Sequence, residues 1–402
     1  MTSRERVRKV LDRQIPDYVP NGLGGCETTG LHLIAYDSLQ NALRAEKKPP
    51  RLDTFMLNAV FEQDVLKSMG GDIILVESPR MCKSSLWKQG YEAYWKEQSL
   101  WSKTFRIPVA DYFRREPDGT LIWENYNTIC PEGTYFFDSP TRTDFFADIV
   151  YPSPDLFNPP HDFDDDFLRG LEQTAKDLYE QTEFCLCLGE TINDLQYAPG
   201  GFAGSMILML EQPEVMAEFL EKMTESALAQ LKLLHQAVGK YADILSIAHD
   251  FGDNNGVTIG DELWRTIYKR HYKKLFEGWH KITNMKINLH SCGSICGILG
   301  DLIECGADII NPVQISARGM SPEALKETYG HEVIFWGGGY DAQIISTDCG
   351  YEEVYETVSK NIRIFKQGGG YIFAGVHNLP ANIPEPHLSA MIDAWRDNRQ
   401  YP

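Results

Sequence analysis

The chain lacks a long apolar run: nothing in its 402 residues approaches the ~20 that a bilayer-spanning helix needs. Its first residues, Met1-Thr-Ser-Arg-Glu-Arg-Val-Arg-Lys9, form a charged helix start instead of a secretory leader. Neither a membrane span nor export is expected, and the chain reads as cytoplasmic. Basic charge is also scarce. Lys and Arg number 38 against 57 Asp and Glu, a net charge of −19, which argues against nucleic acid or an anionic membrane as a partner. A regular cysteine framework is missing as well. The nine cysteines, an odd number, are scattered, as expected of mostly buried thiols in a reducing compartment. The acidic cluster His161-Asp-Phe-Asp-Asp-Asp166 has neither the spacing nor the closing glutamate of an EF-hand, and reads as a loop or helix N-terminus. No Gly-x-Gly-x-x-Gly follows the early strands, which disfavours a dinucleotide fold.

What is present is a regular second half. From about residue 184, short β-rich apolar runs alternate with amphipathic helical stretches, the pattern of parallel βα units. The strands are Phe184–Leu188, Ala242–Ala248, Met285–Leu289, Ala307–Asn311, Glu332–Trp336 and Gly370–Ala374. Helices are expected at about 213–236, 261–281, 295–305, from Ser321, at 351–367 and at 384–396, with Ser321-Pro-Glu supplying an N-cap and a first-turn proline. The first half is less regular. It offers a helix over 2–13, a strand at Tyr18-Val-Pro-Asn21 and another at Asp72–Glu77. A stretch rich in Trp, Tyr and Gly over 83–136 carries a hairpin signal at Glu116-Pro-Asp-Gly119, and Asp138–Pro160 reads as a proline-rich crossing. Two early and six late strands predict a single (β/α)8 TIM barrel over 1–402, with an N-terminal elaboration and the aromatic-rich insertion 83–136 as an inserted subdomain or lid.

In such a barrel the chemistry sits at the C-terminal strand ends. Those ends carry Glu77, Glu190, His249-Asp250, His290-Ser-Cys292, Asn311, Gly337-Gly-Gly339 with Tyr340-Asp341, and His377-Asn378. His290 and Cys292 lie two apart on an extended segment and point the same way, so both could bind one soft cation such as Zn²⁺. A zinc site needs three or four ligands, so the pair alone is insufficient. Cys185-Leu-Cys187 reads as core, and Cys296 as a helix-packing residue.

Several segments resemble the uroporphyrinogen decarboxylase superfamily: Thr2-Ser-Arg-Glu-Arg-Val with Pro16-Asp-Tyr-Val-Pro20, Gly24-Gly-Cys-Glu-Thr-Thr-Gly30, Asp250-Phe-Gly-Asp-Asn-Asn-Gly256, His290-Ser-Cys-Gly-Ser294, Asp308-Ile-Ile-Asn-Pro-Val-Gln314 and Gly368–Asn378. The resemblance covers nearly the whole chain outside 83–136 and itself implies a (β/α)8 barrel. No arginine-rich segment follows Pro20 to clamp porphyrin carboxylates, and the strand ends carry no Arg or Lys, so porphyrinogen decarboxylation is not expected.

The chain is more similar to the corrinoid-dependent methyltransferases of that superfamily. For these, the resemblance implies zinc on a His-x-Cys pair and a later cysteine. His290 and Cys292 match the pair, while His377 stands at the later position and is a competent ligand. Members with His-Asn at this place look like demethylating enzymes, which move a methyl from oxygen, nitrogen or sulfur to the cobalt of a partner corrinoid protein. Such a step needs the departing heteroatom activated by metal or acid. Asp250, Glu190 and Tyr340 are the candidates for proton transfer or orientation, and Asn255, Asn311, Asp341 and Asn378 for substrate contact. Trp87, Trp95, Trp101 and Trp123 could cage an aromatic or methylammonium substrate. The alternative is a decarboxylase or lyase of the same fold acting on a small non-porphyrin acid.

Overall fold

The computed structural model describes residues 1–53, 57–76, 94–138, 163–192, 195 and 201–401. Along these, the strands are β1 Arg51–Asp53, β2 Asn58–Val60, β3 Ile73–Val76, β4 Trp95–Leu100, β5 Lys103–Pro108, β6 Phe113–Arg115, β7 Leu121–Trp123 and β8 Thr128–Cys130. The series continues with β9 Cys185–Leu188, β10 Ile244–Ala248, β11 Lys286–His290, β12 Ile309–Asn311, β13 Ile334–Trp336 and β14 Tyr371–Ile372.

Seven of these form one parallel sheet in the order β14-β13-β12-β11-β10-β9-β3. Chain order and spatial order agree, so the sheet lacks the reversal of strand order that marks a doubly wound sheet. All six late strands expected from the sequence are present. The strand expected at Tyr18–Asn21 is not. Pro16 and Pro20 remove backbone donors from that segment, and Tyr18 bridges antiparallel to Gln400 instead. Asn21 nonetheless bridges in parallel to both edges, to Gly71 before β3 and to Phe373 after β14. Gly22 N–H donates to Phe373 O at 2.7 Å, and Asp72 N–H to Asn21 O at 2.8 Å. The sheet therefore curls until one short segment spans both of its edges.

Both faces of the strands are covered, which is why they read as continuous apolar runs. Cys185 and Cys187 are buried, as expected, in a cluster with Ile73, Ile244, Ile309 and Ile334. Val7 and Val10 of helix Ser3–Leu11 join that cluster. This helix plugs the end where strands begin. Arg6 pairs with Asp72 at 2.6 Å just before β3, and Arg8 with Asp243 at 2.8 Å just before β10. The opposite, C-terminal rim is left for the site.

The hairpin signal at 116–119 is met by β6 and β7, paired antiparallel with Arg115 opposite Leu121. They form a three-stranded sheet with β8, while β1, β2, β4 and β5 form a second small sheet. Helix Asp165–Gln181 starts on the acidic cluster, with Asp164 as its N-cap. Among the described residues no helix is long and apolar enough to cross a membrane. Glu77, Trp87, residues 83–93 of the insertion and 139–160 of the proline-rich crossing lie outside the described residues.

Candidate metal centre

The ladder pairs Ala248 with His290 and His290 with Asn311, so β10, β11 and β12 end at one level. Beyond β11 the chain turns sharply. Gly293 has φ +78°, and a Cβ there would stand 2.3 Å from the Gly252 carbonyl carbon. Only glycine allows the loops after β10 and β11 to cross so closely. That crossing sets Cys292 beside His290: Sγ lies 3.4 Å from Nε2, and the Cys292 N–H donates to Asp250 Oδ1 at 3.0 Å.

The protonation of His290 follows from its partners. Asn311 Nδ2 donates to Trp336 O at 3.1 Å, which turns Asn311 Oδ1 toward His290 Nδ1 at 2.7 Å. An amide oxygen accepts, so Nδ1 carries the ring proton and Nε2 presents a lone pair. Thr28 Oγ1 donates to the same Oδ1 at 2.8 Å and holds it in place. Burial lowers the His290 pKa, opposed by the Asp250 charge, so the ring is a neutral base. Burial, with Asp250 next, raises the Cys292 thiol well above its ordinary range.

His377 completes the group. Ligating atoms of His290, Cys292 and His377 all lie within 4.8 Å of one another, and the two rings stand edge to face with centroids 5.1 Å apart. His377 sits at φ 60° on the loop after β14, and its Nδ1 accepts the Asn378 N–H at 2.7 Å. In that pose the ring proton is on Nε2. Burial, then the neighbouring His290, lowers its pKa to about 4. Two imidazoles and a thiol at this spacing suit a soft divalent cation, with the thiol losing its proton on binding.

The other expected site residues divide. Asp250 is half-exposed on the rim, 3.6 Å from His290 Nε2. Glu190 lies two residues beyond β9, and its N–H donates to Glu27 Oε2 at 2.8 Å. Asn378 adjoins the trio, its Oδ1 accepting the Gly30 N–H at 2.6 Å. Asn311, expected to contact substrate, is fully buried and orients His290. Tyr340 is fully buried, with its hydroxyl 3.0 Å from His387 Nδ1 on helix Glu385–Asn398, so it turns into the helix layer. Asp341 is also buried; its oxygens accept the N–H groups of Ser316 at 3.1 Å and Gln343 at 2.8 Å and brace two loops. Asn255 is exposed on a turn capped by Asp253. Cys296, expected on a helix, is exposed in the turn before helix Leu299–Cys305.

A cavity of about 390 Å³ opens beside the trio. His377 and Asn378 line one part of it, and Trp123, Phe136 and Phe137 line another. The aromatic insertion thus does reach the site through Trp123. Trp101 packs behind it on Phe137 at 6.1 Å, while Trp95 is buried against Tyr94. His32 and Thr28 were not singled out from the sequence, although Thr28 falls within a segment that carries the resemblance.

A family model for uroporphyrinogen decarboxylase (URO-D) matches residues 197–398, half of the chain. Among solved structures the chain is similar to a methyltransferase from Methanosarcina mazei, with a TM-score of 0.58 over 99% of this chain and 99% of that one, at 13% identity. At that identity the likeness is one of fold. No curated protein matches. The rim that gathers His290, Cys292 and His377 lies within the matched residues, and the chain belongs to the uroporphyrinogen decarboxylase (URO-D) family.

Proposed function

We propose that this chain is a methyltransferase that moves a methyl group between a small O-, N- or S-methylated substrate and the cobalt of a partner corrinoid protein. We read the curled seven-stranded sheet, with Asn21 bridging to both of its edges, as a (β/α)8-type barrel. The observation that carries the reading is the convergence of His290, Cys292 and His377 within 4.8 Å, at the strand-end rim and beside a largely apolar cavity.

His290 Nε2 and Cys292 Sγ, with His377 as the third group, would hold zinc, which supplies Lewis-acid activation of the heteroatom that loses the methyl. The protein's own work is positional. Asn311 and Thr28 fix the His290 ring, and Asp250 holds the Cys292 backbone. His377 Nδ1 accepts the Asn378 N–H, so its Nε2 carries a proton that it can offer in a hydrogen bond to the departing heteroatom. The acid-cleaving alternative gains nothing from the cavity, because its described lining contains no Arg or Lys to receive a carboxylate.

The test is conversion of reduced cobalamin to methylcobalamin by the purified chain with a panel of methylated donors, with zinc content measured alongside. Conversion that requires stoichiometric zinc is expected. Carbon dioxide released from a small acid, with no conversion by any donor, would reverse the reading.

A further inference from the structure

The cavity beside the trio narrows the substrate class. We infer that it receives a neutral aryl methyl ether, a single ring bearing a methoxy group; this rests on the methyl-transfer reading above. About 390 Å³ lies in the range that holds such a ligand. Trp123, Phe136 and Phe137 form an aromatic wall. Phe113 stacks on Trp123 at 5.1 Å, and Phe137 meets Trp123 edge to face at 5.8 Å, so the wall is braced from behind. The remaining polar lining is His32, Asn58, His377 and Asn378, and among the described residues it contains no Asp, Glu, Lys or Arg. A carboxylated substrate would find no cation there, and a methylammonium no carboxylate.

The polar side calls for an acceptor. Asn378 Oδ1 is fixed by the Gly30 N–H at 2.6 Å, so its amide cannot flip, and its Nδ2 is buried with no hydrogen-bond partner among the described residues. An unpaired buried donor is costly, and an ether or phenol oxygen would satisfy it. His377 adds a second N–H at Nε2. A quaternary ammonium has no lone pair to offer either group. His32 is committed: its Nδ1 accepts the Ile34 N–H, so its Nε2–H donates to Tyr135 O at 3.0 Å, tying the segment that carries Phe136 and Phe137 to the rim.

In the step, the aryl O–CH3 bond breaks and its electron pair stays on oxygen. The phenolate oxygen accepts hydrogen bonds from Asn378 Nδ2–H and His377 Nε2–H and takes its proton from water. The methyl carbon bonds to the reduced cobalt of the partner, which supplies the new pair.

Binding can be measured apart from turnover. The full chain is titrated calorimetrically with 2-methoxyphenol, tetramethylammonium and methoxyacetate. Saturable binding of 2-methoxyphenol is expected, with neither of the others bound at tenfold higher concentration. Phe136→Ala, at an exposed position, and Asn378→Asp, which keeps the acceptor for Gly30 and removes the donor, should each weaken it by about tenfold. Saturation by tetramethylammonium or methoxyacetate instead, or unchanged binding in both variants, overturns the assignment. Methylation of reduced cobalamin by another donor class but not by 2-methoxyphenol ends the substrate assignment and leaves methyl transfer standing. Binding with the expected variant pattern but no methylation ends the methyl-transfer reading and leaves the pocket assigned.

Discussion

His290 and His377 stand with ring centroids 5.1 Å apart, yet one is placed by a sheet and the other by its own neighbour. His290 ends a strand paired on both sides, and its far nitrogen is held by a buried asparagine that Thr28 and Trp336 hold in turn. His377 belongs to a loop, at a left-handed φ of 60°, with its near nitrogen bonded to the next backbone N–H. The first ring offers its lone pair without rearrangement; the second must exchange one bond for another. A rigid arm and an adjustable arm suit the proposed site, which would hold a metal permanently and a substrate transiently.

The comparison can be broken most directly at the rigid arm. His290→Ala or Cys292→Ala should remove stoichiometric zinc, measured by elemental analysis, and lower cobalamin methylation on the order of 10³-fold. Full zinc occupancy in either variant would mean that the metal sits elsewhere. His377→Ala should bind zinc more weakly, by about 10–100-fold in a chelator competition, while still binding it. Equal loss in the His290 and His377 variants would erase the distinction between the arms. Asn311→Leu removes the orienting acceptor, and a weakening of about tenfold in the same competition is expected, with Asn311→Asp restoring most of it. No difference between these two variants would show that orientation of the ring does not matter.

A last effect is on stability and lies away from both arms, at His32. Burial lowers the His32 pKa to about 4 from an ordinary value near 6.5, although its bond to Tyr135 O opposes this. The unfolded chain therefore takes up a proton that the folded chain refuses. Stability should be full above about pH 6.5 and fall toward pH 4, by up to about 1.4 kcal/mol per pH unit for this group. Urea midpoints across that range should show a shallower fall in His32→Asn, which can still cap the helix at Leu33. An unchanged slope would remove His32 from the account.

The site was legible in the sequence where strand geometry dictates it. Parallel strands end at a common level, so His290, Cys292 and Asn378 could be placed together from their positions after apolar runs. It was illegible where a loop decides. Gly337 and Gly338, both at positive φ, redirect the chain after β13, and Tyr340 and Asp341 enter the packing instead of the cleft. Asn311 was recognised but its role was not, because a strand-end amide says nothing about which neighbour it faces. The first half hid more. Helix Leu33–Ala42 is capped by His32, outside the residues that usually mark a helix start, and the three-residue strands β1 and β2 carry no readable period.

Asn21 has a consequence for how the polypeptide is made. It bridges Gly71, roughly 50 residues downstream, and also Phe373, roughly 350 residues downstream. At about 5–20 residues per second of synthesis, its second partner emerges tens of seconds after it does. Throughout that interval the growing sheet has one unmatched border, open to other chains. The last step of maturation is thus the meeting of the oldest and newest parts of the molecule, and a truncation before Phe373 would leave the early segment waiting for a partner that never arrives.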